Sequence, residues 1–373
     1  MNVCHVTSAH GRYDTRIFQK ECSTLAGEKF NVYLIVNDNQ DNEFVNDVKI
    51  VSTGFVAKSR IDRIRNGKKY CLAKILEIKP DVVHLHDPEL LMVVKKIRKK
   101  LPKCQIIFDS HEDVGAQIRG KEWIPAFMRS MIAGIYNSLE KSRFKKLSAI
   151  ITVTPHLYER VKKVNPNTLM VANFPLIDSV KSMDNSKKSA SLVFAGGIES
   201  QWNHHVLLNA IKNVEVAYKL CGKADAEYLS KLKQHPSWNK VNYYGQVSFD
   251  KVQEIIGESM IGMVLLQYSA NTNWENGTLG NTKIFECMAN GIPVICTDFT
   301  IWKEIIDKYN CGIYVKPNEE ESIRTAVNFL LEQPDLAKKM GENGKKAIQE
   351  EYNWELDSKK LVDLYKRLER NIL

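Results

Sequence analysis

No stretch of this chain is apolar for long enough to cross a membrane as a helix. The longest apolar runs, such as 260–266, fall well short of the roughly 20 residues a spanning helix requires. The opening residues Met1 to Thr7 carry no basic flank ahead of an apolar stretch, so they read as a first strand rather than a signal peptide, and a cytoplasmic protein is expected. Nor do any two cysteines have the spacing of a zinc or redox motif. The eight (Cys4, Cys22, Cys71, Cys104, Cys221, Cys287, Cys296, Cys311) are scattered through mostly apolar stretches and read as reduced core residues. Short-period repeats and low-complexity tracts are absent as well, which removes solenoid and disordered architectures.

What is present is a chain of 373 residues, 44% hydrophobic, enough for an ample core and for two domains. Its net charge of +9 is unevenly spread. Residues 1–188 hold 32 Lys and Arg against 20 Asp and Glu, whereas residues 189–373 hold 21 against 24. An anionic partner is therefore expected at the first half. Two clusters dominate there, one from Lys58 through Arg60, Arg63 and Arg65 to Lys74, the other from Lys95 to Lys103. They suit either solvated helix faces or an anionic membrane surface and a pyrophosphate-linked acceptor. Because aromatics are not interleaved with these charges, no nucleic acid is expected as a partner.

Short β-rich runs alternate with amphipathic stretches throughout, the pattern of βαβ units and parallel sheets. Strands are predicted at 3–7, 32–36, 48–52, 82–85, 106–109 and 150–153, with helices at 16–26, 68–78, 89–100 and 126–146. A Ser-, Lys-, Asp- and Asn-rich segment, 179–189, then reads as a linker. The alternation resumes with strands at 192–195, 217–221, 241–244, 261–266, 293–297 and 312–315. The expected organisation is α/β: a doubly wound domain over 1–178, a second over 190–353, and an amphipathic C-terminal helix over 354–373 that could pack back on the first. Ligands of such domains sit at the carboxyl ends of the strands.

The sharpest constellation runs from Tyr268 to Thr297. A buried strand feeds a polar loop, 271–280, and a helix opens at Asn281-Thr282-Lys283 and carries Glu286 one turn in. Such a helix tip presents unpaired backbone N–H groups and a positive dipole end, a ready site for a diphosphate. Lys283 adds a full positive charge, and Glu286 is placed to accept the two hydroxyls of a ribose.

The segment Asn281-Thr-Lys-Ile-Phe-Glu-Cys-Met-Ala-Asn-Gly-Ile-Pro-Val-Ile-Cys-Thr-Asp-Phe299 resembles the donor-binding segment of the large retaining glycosyltransferase family 4. So do, in order, His5-Val-Thr-Ser-Ala-His-Gly-Arg-Tyr-Asp-Thr-Arg-Ile-Phe18, Val83-His-Leu-His-Asp-Pro-Glu-Leu90, Phe108-Asp-Ser-His-Glu-Asp113, Lys121-Glu-Trp-Ile-Pro125 and Val171-Ala-Asn-Phe-Pro175. These are similar to a branch acting on bacterial surface polysaccharides. The resemblance implies the GT-B fold, two doubly wound Rossmann-like domains facing across a cleft, with a nucleotide diphosphate sugar (UDP or GDP) on the C-terminal wall and the acceptor on the N-terminal wall.

It further implies that Glu286 binds ribose and that Lys283, with the backbone of Asn281 and Thr282, holds the diphosphate. Two departures stand out. The family usually has a second Glu eight positions earlier, where this chain has Thr278, and Glu275 is a candidate substitute. The family also tends to carry a cation shortly after the Gly-Gly of Ala195-Gly196-Gly197, where this chain has Gln201-Trp202-Asn203-His204. Lys223 is the candidate replacement for that cation, and Gly197 and Gly11 are expected to let backbone approach the donor.

By the same resemblance His111 contacts the transferred sugar, with Arg12, Asp87, Glu112 and Asp113 on the acceptor side. Asp14 and Arg16 are candidates to pair with each other. His84 and His86, two apart on a strand, would share a face, but no third and fourth metal ligand accompanies them at recognisable spacing. No Asp-X-Asp stands at a strand end. Neither a metal nor a resident cofactor is therefore expected, and cationic side chains with a helix dipole do a metal's work. A hexosyltransferase, peripheral on the inner face of the cell membrane and using a lipid-linked or oligosaccharide acceptor, is the resulting expectation. A nucleotide-sugar epimerase and a non-catalytic binding member of a polysaccharide complex are the alternatives.

Overall fold

The computed structural model describes residues 1–120, 124–177 and 189–372, apart from the side chain of Asn271. The first three residues of the Lys121-Glu-Trp-Ile-Pro motif and nearly all of the expected linker lie outside them. The chain forms two compact units, one of Met1–Asn173 with Glu355–Leu373, the other of Phe174–Trp354. Each is an α/β unit built on a largely parallel sheet, as the alternating pattern predicts.

In the first unit the strands are β1 (Asn2–Val6), β2 (Asn31–Val36), β3 (Glu43–Val45), β4 (Val48–Ser52), β5 (Val82–Leu85), β6 (Gln105–Ser110), β7 (Ala149–Thr152) and β8 (Thr168–Met170). They lie in the order β3-β4-β2-β1-β5-β6-β7-β8, and among them only β3 pairs antiparallel, with β4. The strand Glu43–Val45 and the strand Thr168–Met170 were not expected: each has three residues, too few to show a period. Alternation of side chains sorts β1 and β5 into two faces. Cys4 and Val6 join Val83 and Leu85 in the apolar core, while His5 lies in register with His84 on the other face. The helix expected over 89–100 is two pieces, a tight turn Pro88–Met92 and a helix Val94–Lys100. The C-terminal helix Trp354–Arg370 begins at the unit boundary, and its Tyr365 is fully buried against His84 of β5.

The helix after β1, Thr15–Cys22, is wound wider than an α-helix, with Gln19 N–H donating to Asp14 C=O five residues back (3.1 Å). Asp14 caps it, its carboxylate accepting from the N–H groups of Arg16 and Ile17 at 2.9 Å each. The wide winding turns residues five apart onto one side. Arg16 and Glu21 therefore face the interior together, Nε to Oε1 3.1 Å.

The second unit has β9 (Ser189–Ala195), β10 (Ala217–Cys221), β11 (Val241–Gly245), β12 (Ser259–Val264), β13 (Val294–Thr297) and β14 (Gly312–Val315), all parallel, in the order β11-β10-β9-β12-β13-β14. Strands buried on both faces read as unbroken apolar runs, as Val294–Thr297 does. The chain leaves β12 for the polar loop and enters the helix Thr282–Ala289, which returns to β13 through Gly291 at φ 65°.

Candidate active site

In the second unit the chemistry gathers at the start of the helix Thr282–Ala289. The Asn281 side chain caps it by accepting from Lys283 N–H at 3.1 Å. Lys283 folds back over the loop after β9. A Cβ on Gly196, whose φ is 154°, would stand 2.0 Å from Lys283 Cε, and a Cβ on Gly222 would strike the carbonyl of Gly196 at 1.8 Å. Two loops and one lysine stem are thus packed too closely for any side chain at either glycine.

The Lys283 ammonium lies 4.5 Å from the centre of the Trp202 ring and 5.8 Å from that of Phe194. Burial lowers its pKa against the pull of Glu286 and Glu199. Among the described residues it has no ion pair within 4 Å. A desolvated cation held by an aromatic face at a capped helix tip is a poised anion site. Trp202 was a departure in the sequence; here it is the platform for the lysine. His204, beside it, hydrogen-bonds the Tyr218 hydroxyl at 2.8 Å and is buried, its pKa pushed down to about 3 by burial, so it supplies no charge.

The other sequence-predicted donor residues surround this point unevenly. Thr278 Oγ1 accepts from Gly280 N–H at 3.0 Å, and its carbonyl accepts from Trp302 Nε1 at 2.9 Å, so Thr278 shapes the loop. Lys223 is exposed, its carbonyl accepting from Ile198 N–H at 2.9 Å. Gly197 has ordinary backbone angles and only a 3.4 Å neighbour at Glu199, so the tight position is Gly196 rather than Gly197. Gly11, in the first unit, has neither a positive φ nor any atom within 4 Å of where a Cβ would stand; nothing local requires glycine there.

The first unit holds a cavity of about 750 Å³ at the carboxyl ends of β5 and β6. His111, Asp87, Glu89 and Glu112 line it, with Ile64, Met92 and Ile118 as apolar wall. Arg60 and Arg63 line it too. The sequence reading left these two between a solvated helix face and a surface for an anionic membrane or a pyrophosphate-linked acceptor. Arg63 Nε is 3.2 Å from Glu89.

Asp87 is fixed by its own neighbours: one oxygen accepts from Thr7 Oγ1 (2.8 Å) and Ser8 N–H (2.6 Å). That bond ties the loop after β1 to the end of β5. It also brings in His10, which sequence reasoning passed over although it stands four residues before Asp14, its partner at 2.9 Å. His10 Nε2 is 3.6 Å from Asp87.

Behind the cavity wall lies a charged layer. Arg16 grips Asp109 with two bonds, Nε to Oδ2 2.8 Å and Nη2 to Oδ1 3.1 Å. Arg16 and Asp14, candidates to pair through their side chains, meet only through the backbone. Burial disfavours the Asp109 charge, yet Arg16 and then His111 outweigh it and hold that carboxyl well below the usual range. His111 Nε2 is 3.3 Å from Asp109 Oδ2. Burial nonetheless brings His111 down to about 4, leaving a neutral imidazole oriented by a carboxylate.

Two acceptor-side candidates are committed elsewhere. Arg12 is buried in a cage of Asp38 (2.6 and 3.0 Å), Glu43 and the carbonyl of Asp41 (2.6 Å). Asp113 caps the helix Val114–Gly120 through Ala116 N–H at 2.8 Å and faces Arg160 at 3.4 Å.

Residues 178–347 match the family described as Glycosyl transferases group 1. Over 145 residues the chain is 30% identical to the uncharacterized glycosyltransferase MJ1069 of Methanocaldococcus jannaschii, covering 39% of this chain and 35% of that one. It is 24% identical over 220 residues to the O-antigen chain mannosyltransferase RfbU of Salmonella typhimurium, covering 55% and 58%. These matches span about a third to three fifths of the relatives' lengths. Among solved structures, sucrose-phosphate synthase from Thermosynechococcus elongatus has a TM-score of 0.80 at 14% identity, with 99% of each chain covered. Anabaena Alr3699/HepE in complex with UDP and glucose has a TM-score of 0.70 at 11% identity, with 98% of this chain and 100% of that one covered. Residues 178–347 thus carry the likeness to the glycosyl transferases group 1 family, in a chain with the two-domain GT-B fold.

Proposed function

We propose that the protein is a retaining hexosyltransferase of glycosyltransferase family 4, moving a hexose from a nucleotide diphosphate sugar to a lipid-linked saccharide in surface polysaccharide synthesis. The observation that carries the reading is Lys283: a desolvated ammonium without an ion pair among the described residues, laid over Gly196 and Trp202 at a capped helix tip. A diphosphate supplies its missing counter-charge, and Glu286, one turn on, takes the ribose. Relatives and structural neighbours agree with the direction. RfbU is an O-antigen chain mannosyltransferase, and HepE binds UDP and glucose. An epimerase and a non-catalytic member are not favoured.

In this reading the acceptor occupies the cavity of the first unit. Glu89, Glu112 and Asp87 accept from sugar hydroxyls, and Arg60 and Arg63 meet a phosphate. The donor carbon and the acceptor hydroxyl must meet on one substrate pair. The leaving diphosphate, stabilised by Lys283 and the helix tip, then helps remove the acceptor proton as the C–O bond breaks. Neutral His111 donates a hydrogen bond near the anomeric carbon. Orientation and charge stabilisation supply the rate without a metal in the chemistry.

No helix among the described residues is long and apolar enough to cross a membrane. Membrane contact in this reading is peripheral and cytoplasmic. The helix Ala126–Phe144 exposes Phe127, Met131 and Ile135 at four-residue steps, a face suited to a bilayer surface. A thermal-shift screen of UDP, GDP and their sugars, followed by transfer assays with pyrophosphate-linked acceptors, tests the reading, since a specific donor raises the melting temperature by mass action. Failure of every nucleotide diphosphate to bind would sink it.

A further inference from the structure

We propose that His5, Glu21, His84 and His86 form a buried zinc site in the first unit, behind the acceptor cavity. Sequence spacing set aside the His84-X-His86 pair for want of further ligands. The fold supplies them: His5 lies beside His84 through the register of β1 with β5, and the wide helix Thr15–Cys22 turns Glu21 onto the same point. The four ligand atoms all lie within 4.8 Å of one another, and all four side chains are buried.

The distances favour a shared cation over a hydrogen-bonded cluster. Glu21 Oε2 stands 3.7 Å from His5 Nδ1 and 3.9 Å from His86 Nε2. Each is beyond a hydrogen bond. Ligands of a tetrahedral zinc with bonds of about 2.0–2.2 Å sit roughly 3.3–3.6 Å apart. Only His5 Nδ1 and His86 Nε2, at 3.0 Å, are close enough to bond directly. As a hydrogen-bonded network the cluster leaves Glu21 Oε2 and His84 Nε2 buried without a hydrogen-bond partner. Native interiors rarely leave such atoms.

Three imidazoles and one carboxylate, sealed from water, are the donor set of a closed zinc site rather than one for magnesium or calcium. Tyr365 of the C-terminal helix stands at its edge, 2.9 Å from His84 Nδ1 and 3.5 Å from His5 Nε2. The ion thus fastens that helix to the sheet. This inference is independent of the proposed transfer reaction.

Elemental analysis of the untagged full chain, purified without chelator, is expected to give about one zinc per chain. Glu21→Gln and His84→Asn should lose most of it, whereas His235→Asn, in the second unit, should keep it. Stripping with phenanthroline should lower the melting temperature by several degrees, and zinc but not magnesium should restore it. Wild-type protein that holds under about a tenth of an equivalent, takes up none on adding zinc and melts unchanged with chelator overturns the site, even if the variants fail to fold. Zinc retained in both variants overturns it as well.

Discussion

The two units handle charge in opposite ways. The first buries it: Arg16, Glu21, Asp109 and three histidines fill one layer drawn from β1, β5, β6 and the helix after β1. The second leaves the Lys283 ammonium over glycine and tryptophan with no ion pair among the described residues. In the first unit geometry comes from side chains holding one another. In the second it comes from backbone at a helix tip, with Lys283 as its cation and Glu286 one turn on. The difference teaches where each unit is fragile. A charge removed from the first leaves its partners buried and unpaired, whereas a charge removed from Lys283 leaves the fold intact and the ligand unheld.

The largest expected effect follows from that contrast. Lys283→Met keeps the stem across Trp202 and removes only the charge, so kcat should fall by about 10²–10³, with weaker donor binding and an unchanged melting temperature. Steady-state kinetics on the identified donor decide it, and a loss confined to KM would make Lys283 a ground-state contact alone. His111→Ala should reduce kcat on the order of 10² while nucleotide diphosphate binding, measured by calorimetry, stays as it was. If binding collapses too, His111 is not confined to acceptor and sugar.

A smaller effect is expected at Glu286→Gln. It should lower donor turnover roughly tenfold, the worth of one charged hydrogen bond in a partly buried site. Unchanged kinetics would remove Glu286 from the ribose. Gly196→Ala should displace Lys283 without touching its charge, and a drop in donor affinity of about tenfold or less is anticipated. Wild-type affinity in that variant would break the claim that close packing sets the lysine.

The smallest effect concerns pH. His111 titrates near 4 in the fold against about 6.5 for an ordinary imidazole, so kcat/KM should show no inflection near 6.5 from this group. The sign for stability follows. The fold keeps His111 neutral, so its contribution is present above about 6.5 and drains away as pH falls towards 4, where the unfolded chain takes the proton first. His204, near 3 in the second unit, drains in the same direction over a slightly longer window. Calorimetric melts between pH 7 and 4 should therefore show both units weakening in acid; a unit that strengthens there contradicts the buried neutral histidine assigned to it.

How much of this was legible beforehand follows the same division. The helix proposed to hold the donor could be read because its parts are contiguous: the cap at Asn281, Lys283 and Glu286 lie within six residues, directly after the loop. The strands could be read because parallel sheets write themselves as short apolar runs. Most of the first unit's site could not be read so. His10, Arg60 and Arg63 reach the cavity from segments whose sequence shows only a loop and a basic cluster. Arg12 looked like an acceptor contact, yet Asp38 and Glu43 claim it.

By itself, then, the sequence determined the alternation of strands and helices, the two sheets, and the capped helix tip with its lysine. These are local consequences of side-chain period, capping and helix dipole. Only the tertiary structure decided that Trp202 lies under Lys283, that Arg16 turns from Asp14 to Asp109, and that His5, Glu21, His84 and His86 converge. Those contacts depend on strand register and on the winding of one helix, which join residues as many as 93 positions apart. No short pattern along the chain carries that information.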